Sequence, residues 1–343
     1  MKQISFLPYL EIKNESSFDD VIFWPFWRLK SRRIKEKLVL KHLEWYFKKW
    51  RDNIHNRRLN ITITSLKEKL LGPFSDDERE RIQVACNILF LLSARHMDEF
   101  NLISSDNFTL YSQNFRAGEY RLALSSGSYI RKEALISSEL TNKIKFIKPD
   151  YVPSHRIEKQ LWFSDKKYYR AMQKAFNREY NQIWFIRFKR SLGSFISSYS
   201  NVYSLSYFDR IVSLVTAIEI LLDIDTSSSS RFVRAIESVL GFSNRLCRRS
   251  PGLANTNRNI RRFSDALYRI RSKYVHGEEM TEDDVNHPRF GEYYKTGVIF
   301  YYELVKCLLE NNYCLRKRRI IEKKIYFDFF LFQYAERNQN ENS

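Results

Sequence analysis

The sequence predicts a mainly α chain, with a helical bundle in its C-terminal half preceded by a mixed α+β N-terminal domain. Three observations predict it. Only 9 Gly and 7 Pro occur in 343 residues, and so few breakers favour helices. From residue 165 onward apolar residues recur at intervals of three and four, the period of a helix with one buried face. Between Phe108 and Val152 the pattern turns to short β-rich runs separated by Ser, Gly and Asn. The length suits two domains. Pro149 and Pro153 mark the division, giving 1–160 and 165–343.

The N-terminal elements follow in order. The first 60 residues are aromatic and basic, and Val21–Trp27 is an apolar knot broken by Pro25. Ile34–Trp50 reads as a helix with Leu38, Leu43, Trp45, Tyr46 and Trp50 among Lys and Arg. Those aromatics suit either a packed core or a platform on which nucleic-acid bases stack. Ser75-Asp-Asp-Glu78 has the spacing of a capping box and opens a helix over 76–97, with Ile82, Ala85, Cys86, Leu89 and Leu92 inward. Short strands are expected at Phe108–Tyr111, Tyr120–Leu124 and Ile144–Ile147.

The C-terminal half reads as five helices. Tyr168–Ser197 is one long helix, Phe208–Leu222 a second and Arg231–Leu240 a third. A polar loop, Gly241–Asn257, leads to a fourth, whose stripe is Ile260, Phe263, Leu267, Ile270 and Tyr274 and which Gly277 stops. Tyr293–Asn311 is the fifth, followed by a basic run, Arg316–Arg319, and an aromatic segment, Tyr326–Tyr334.

The formal net charge is +18 and the pI about 9.6, which points to a polyanionic partner, with nucleic acid foremost. Cys86, Cys247, Cys307 and Cys314 form no CxxC pair. They read as reduced thiols of a cytosolic protein, and no Cys/His grouping suits zinc. Met1–Asn14 turns charged too soon for a signal peptide, and Val84–Ala94 is too short to span a bilayer. The expectation is a cytoplasmic protein without membrane association, metal or cofactor. P-loop, GxSxG, HExxH and Rossmann fingerprints are missing, so those enzyme classes have no support.

Chemistry concentrates in three features. Ala217-Ile-Glu219-Ile-Leu-Leu222 sets one carboxylate on an apolar helix. Arg231–Arg234 follows after a short polar loop. Then comes Leu267-Tyr268-Arg-Ile-Arg271-Ser272-Lys273-Tyr-Val-His276-Gly277 at a helix end. A lone Glu on an apolar face is costly unless paired, and Arg231, Arg234 or Arg190 is expected to pair with it.

This set, with Ile186–Arg190 upstream, resembles the HEPN superfamily and within it the Apea-like group of bacterial defence proteins. The resemblance spans residues 180–310. It implies a bundle of four or five helices that dimerises, with the R-x4-H motifs of two protomers facing across a cleft that cuts RNA without a metal. The matching catalytic positions are Arg271 and His276, with Ser272 in the polar place after the arginine. Glu219, Lys273 and Tyr268 stand as supporting residues. A noncatalytic RNA- or nucleotide-binding scaffold and a basic nucleic-acid-binding regulator remain as alternatives. The resemblance also suggests an effector of antiphage or abortive-infection defence, in which the N-terminal half senses a phage-derived trigger or restrains the nuclease. Toxins of the superfamily controlled by tyrosine modification carry Tyr two places after the histidine. Here that place is Glu278.

The residue types suit RNA cleavage. The 2′-OH is the nucleophile, histidine moves protons near neutral pH, and the arginine fork stabilises charge on the phosphate. The expected products are a 2′,3′-cyclic phosphate and a 5′-OH. Five residues along a helix turn through about 500°, so Arg271 and His276 point about 140° apart. Either the last turn deforms before Gly277 or two chains share the site, and sharing agrees with the implied dimer. The helix end favours a charged His276, while Arg271 and Lys273 oppose it.

Overall fold

A computed structural model of the chain describes residues 2–12, 16–26, 61–94, 105–115, 166–200, 205–224, 228–241 and 251–310, with short pieces at 43–44, 47, 136–137, 145–146, 155–157 and 248. Trp45 and Trp50, the strand expected at 120–124, the Pro149/Pro153 boundary, Cys247, Cys314, Arg316–Arg319 and Tyr326–Tyr334 lie outside the described residues. The chain divides into two compact units: Met1–Ser164 with Tyr199–Ser204, and Asp165–Ser198 with Leu205–Ser343.

The first unit is built on a sheet that the sequence reading left unassigned. Strands β1 (Lys2–Leu7), β2 (Leu10–Ile12), β3 (Ser16–Phe18), β4 (Val21–Pro25) and β5 (Thr62–Leu66) precede helix α1 (Asp76–Ala94), and β6 (Tyr111–Phe115) follows it. Five of them form an antiparallel sheet in the order β3-β4-β5-β1-β6. Every residue of β4 is buried, so its apolar run carries no alternation and reads from sequence as a knot rather than a strand. Pro25 stands at the last position of β4, where a missing N–H costs little. Polar residues inside the sheet pair with one another, Ser5 with Ser112 (2.9 Å) and the Trp24 indole N–H with Ser65 Oγ (3.0 Å). Phe47 packs edge-on against Phe6 and Phe26.

The capping box of α1 is formed: Ser75 Oγ accepts from the Glu78 N–H, and Glu78 accepts from the Ser75 N–H. Arg81 on this helix holds Asp19 and Asp20 in the turn between β3 and β4. A strand expected at Phe108 is a 3-10 turn, Ser105–Phe108, instead. Its Asp106 carboxylate accepts from the Ser200 hydroxyl and its Asn107 amide donates to the Tyr9 carbonyl. These two long-range side-chain bonds hold the segment as a turn. Three short strands, β7 (Ile136–Ser137), β8 (Lys145–Phe146) and β9 (His155–Ile157), complete the unit. β7 pairs with β8, and β9 runs parallel to β2.

The second unit is helical: α2 (Lys166–Arg178), α3 (Ile183–Ser198), α4 (Tyr207–Leu222), α5 (Ser229–Leu240), α6 (Pro251–Val275) and α7 (Tyr293–Glu310). A small hairpin, β10 (Asn286–His287) with β11 (Gly291–Glu292), connects α6 to α7. The single helix expected over 168–197 is two. The polar segment Glu179–Gln182 forms a turn, and the Trp184 indole donates to Glu179 and Gln182 side chains there. The loop expected over 241–257 gives way to helix from Pro251. Proline suits the first helical position, because its missing N–H would have no partner there.

Helix α4 is central and packs on α3, α6 and α7. Its capping box joins Ser206 to Asp209, and Asp223 ends it in the left-handed region. Ser191 Oγ on α3 donates to the Ala217 carbonyl of α4 (2.6 Å) and so is left to accept from the Tyr301 hydroxyl of α7 (2.7 Å). Tyr301 also stacks on Phe195 at 4.3 Å. Cys86 and Cys307 are buried free thiols. Among the described residues no helix is long and apolar enough to cross a membrane.

Candidate active site at the C-terminal end of α6

Helix α6 buries Ile260, Phe263, Leu267 and Ile270 in the bundle, the stripe read from the sequence. Its end is a Schellman cap. The Glu278 N–H bonds the Lys273 carbonyl (2.9 Å), the Gly277 N–H bonds the Tyr274 carbonyl (3.1 Å), and Gly277 has φ +73°. The His276 N–H still bonds the Ser272 carbonyl at 3.0 Å. The helix is therefore regular through His276, and the deformation considered before Gly277 does not occur.

His276 is exposed at this cap, and its ring has no hydrogen bond among the described residues. Lys273 is engaged away from this ring: its ammonium pairs with the buried Asp284 at 2.7 Å. Asp284 also accepts from the N–H and hydroxyl of Thr281. Burial alone would raise the pKa of Asp284, but Lys273 and Thr281 together hold its carboxyl below the usual range. Lys273 thus fixes the turn that follows the cap.

Arg271 looks the other way. It is half-buried, with its guanidinium 5.9 Å from the centre of the Tyr268 ring and its Nε enclosed without a hydrogen-bond partner. Tyr268 is buried against Phe232 of α5. Glu219, 3% exposed on α4, has an enclosed Oε1 that is likewise unpartnered. Burial raises the Glu219 pKa, and the charge of Arg271 lowers it in part. The expected partners Arg190, Arg231 and Arg234 form no ion pair with Glu219 among the described residues. The physical reason is the buried stripe of α6, which turns Arg271 toward α4, whereas Arg234 bonds back to Ser230 on its own helix.

Ser272 is half-buried. Tyr274 donates to Asp209 at 3.0 Å and so ties the end of α6 to the capping box of α4. Arg271 and Glu219 are thus brought into one electrostatic environment, while His276 is set on a different face. No contact joins the imidazole and the guanidinium within the chain.

No protein-family model, curated protein or solved structure matches this chain.

One group, His287 before Pro288, reads from the sequence as incidental in a polar loop. His287 is half-buried on the hairpin, stacked on Phe290 at 4.7 Å and edge-on to Tyr293. Its Nδ1 accepts from the Arg289 N–H, so Nε2 carries the proton of the neutral ring. Burial, then Arg289, lower its pKa; Asp283 opposes them, and Arg262 and Arg269 lower it further. Among the described residues no cluster of three His, Cys, Asp or Glu side chains is placed to hold a metal ion.

Proposed function

We propose that the helical unit is a metal-independent endoribonuclease of the HEPN type, with Arg271 and His276 as its catalytic pair, working as a homodimer in the cytoplasm. One observation carries the reading. An exposed imidazole without a partner stands at the cap of α6, and a turn and a half back an arginine faces a buried carboxylate. His276 moves the proton of the ribose 2′-OH or of the leaving oxygen. Arg271, oriented by Glu219 and Tyr268, meets the phosphate charge. Because the two point to different faces of one helix, the second chain supplies the complementary group. In this reading the first unit senses a trigger or restrains the nuclease, as in an antiphage effector.

The test is cleavage of structured RNA in EDTA with the ends mapped. Wild type gives 2′,3′-cyclic phosphate and 5′-OH ends and leaves DNA intact. His276→Ala lowers the rate on the order of 10²–10⁴-fold and leaves stability within about 0.5 kcal/mol, as an exposed change should. Cleavage by the variant at the wild-type rate would falsify the assignment. A second reading, a noncatalytic RNA-binding module, draws on the enclosed Arg271 Nε. It expects RNA binding with no cleavage by either protein.

A further inference from the structure

Arg262 and Arg269 of α6 and His276 at its cap stand at a spacing of seven. Seven residues advance a helix by about 10.5 Å and rotate it by only about 20°. All three are exposed, so they form one line along the solvent face, and Arg258 continues it one turn back. Arg258, Arg262 and Arg269 make no hydrogen bond or ion pair among the described residues. Asp265, the acid on the same face, accepts instead from the Ser229 hydroxyl of α5 at 2.6 Å. Beside the line sits His287, stacked on Phe290, which together with Tyr293 packs on Phe263 of α6. The electrostatic influence of Arg262 and Arg269 reaches this ring.

We propose that the Arg262–Arg269–His287 surface is a docking track for the phosphodiester backbone of single-stranded RNA, leading it to His276. RNA as the ligand rests on the function proposed above. Arginine forks match phosphate oxygens, and each neutralised phosphate releases counterions. The neutral His287 ring offers an Nε2–H donor beside them. A phospholipid surface fits less well, since a membrane-seated helix must insert its apolar face, and that face of α6 is buried in the bundle.

The test is RNA affinity across a salt series, measured by anisotropy with a short labelled single strand on full-length protein carrying His276→Ala to silence cleavage. Arg262→Gln with Arg269→Gln should weaken binding on the order of tenfold and flatten the slope of log K against log salt by about 1.4, two contacts at about 0.7 each. Arg170→Gln with Arg178→Gln, an equal charge loss on the exposed face of α2, should change the slope little. Equal losses from both pairs, or none from the α6 pair, overturn the track. So does a protein that binds anionic vesicles through the α6 pair and binds no RNA. Wild type that binds RNA along the track and leaves it uncut removes the nuclease and keeps the track. Wild type that cuts RNA, with the α6 pair binding it unchanged, does the reverse.

Discussion

Glu219 carries a specific pH signature. Its folded pKa lies above the ordinary glutamate value because burial outweighs the help from Arg271. A raised folded pKa means that the carboxyl's contribution to stability is fully present below the unfolded pKa and is lost as pH rises through the folded one. Glu219→Gln should therefore gain on wild type as pH climbs from about 4 to 7. Urea midpoints at a series of pH values check this; a difference that is flat or of opposite sign argues against it. Arg271 and His276 were both visible in the sequence as a motif. The carboxylate facing Arg271 was visible only as a lone Glu to be paired by Arg190, Arg231 or Arg234, because pairing across helices depends on the rotation of α6, which spacing within one helix does not specify.

At the scale of elements, the cap of α6 makes a second prediction. Gly277 lies at φ +73° with open space where a Cβ would go, so alanine there meets backbone strain alone. Gly277→Ala should cost about 1–2 kcal/mol, read from urea unfolding with an unchanged m-value; no loss would mean the cap does not fix this helix end. The helices with one buried face were legible: α1, α4, α5 and α7 begin and end within a few residues of their expected bounds. Three features were not. The break at Glu179–Gln182 binds the Trp184 indole through side chains, Pro251 opens a helix rather than a loop, and strands β4 and β5 are buried along nearly their whole length and lose the alternation that betrays a strand.

At the scale of the molecule, the surplus of positive charge and the opposed faces of Arg271 and His276 make a third prediction. Arg271→Ala and His276→Ala should each be inactive, and a mixed dimer should regain part of the activity, since one intact site can form from two different chains. RNA cleavage by a verified heterodimer measures this, and no recovery would count against a shared site. The two-part organisation follows from composition and pattern, but the return of Tyr199–Ser204 to the first unit does not. It brings the Ser200 hydroxyl to the buried Asp106, a long-range pairing that no local pattern announces.

The hydroxyl shared by Ser191, Ala217 and Tyr301 bears on how rigidly the bundle holds its shape. Greasy faces alone tolerate slippage, since one leucine-sized hole resembles the next. Sliding α3, α4 or α7 by a single turn would strand polar atoms in the interior, at about 1–3 kcal/mol for each. The three helices are therefore keyed to one another like the wards of a lock, and the exposed end of their neighbour α6 inherits a steady foundation.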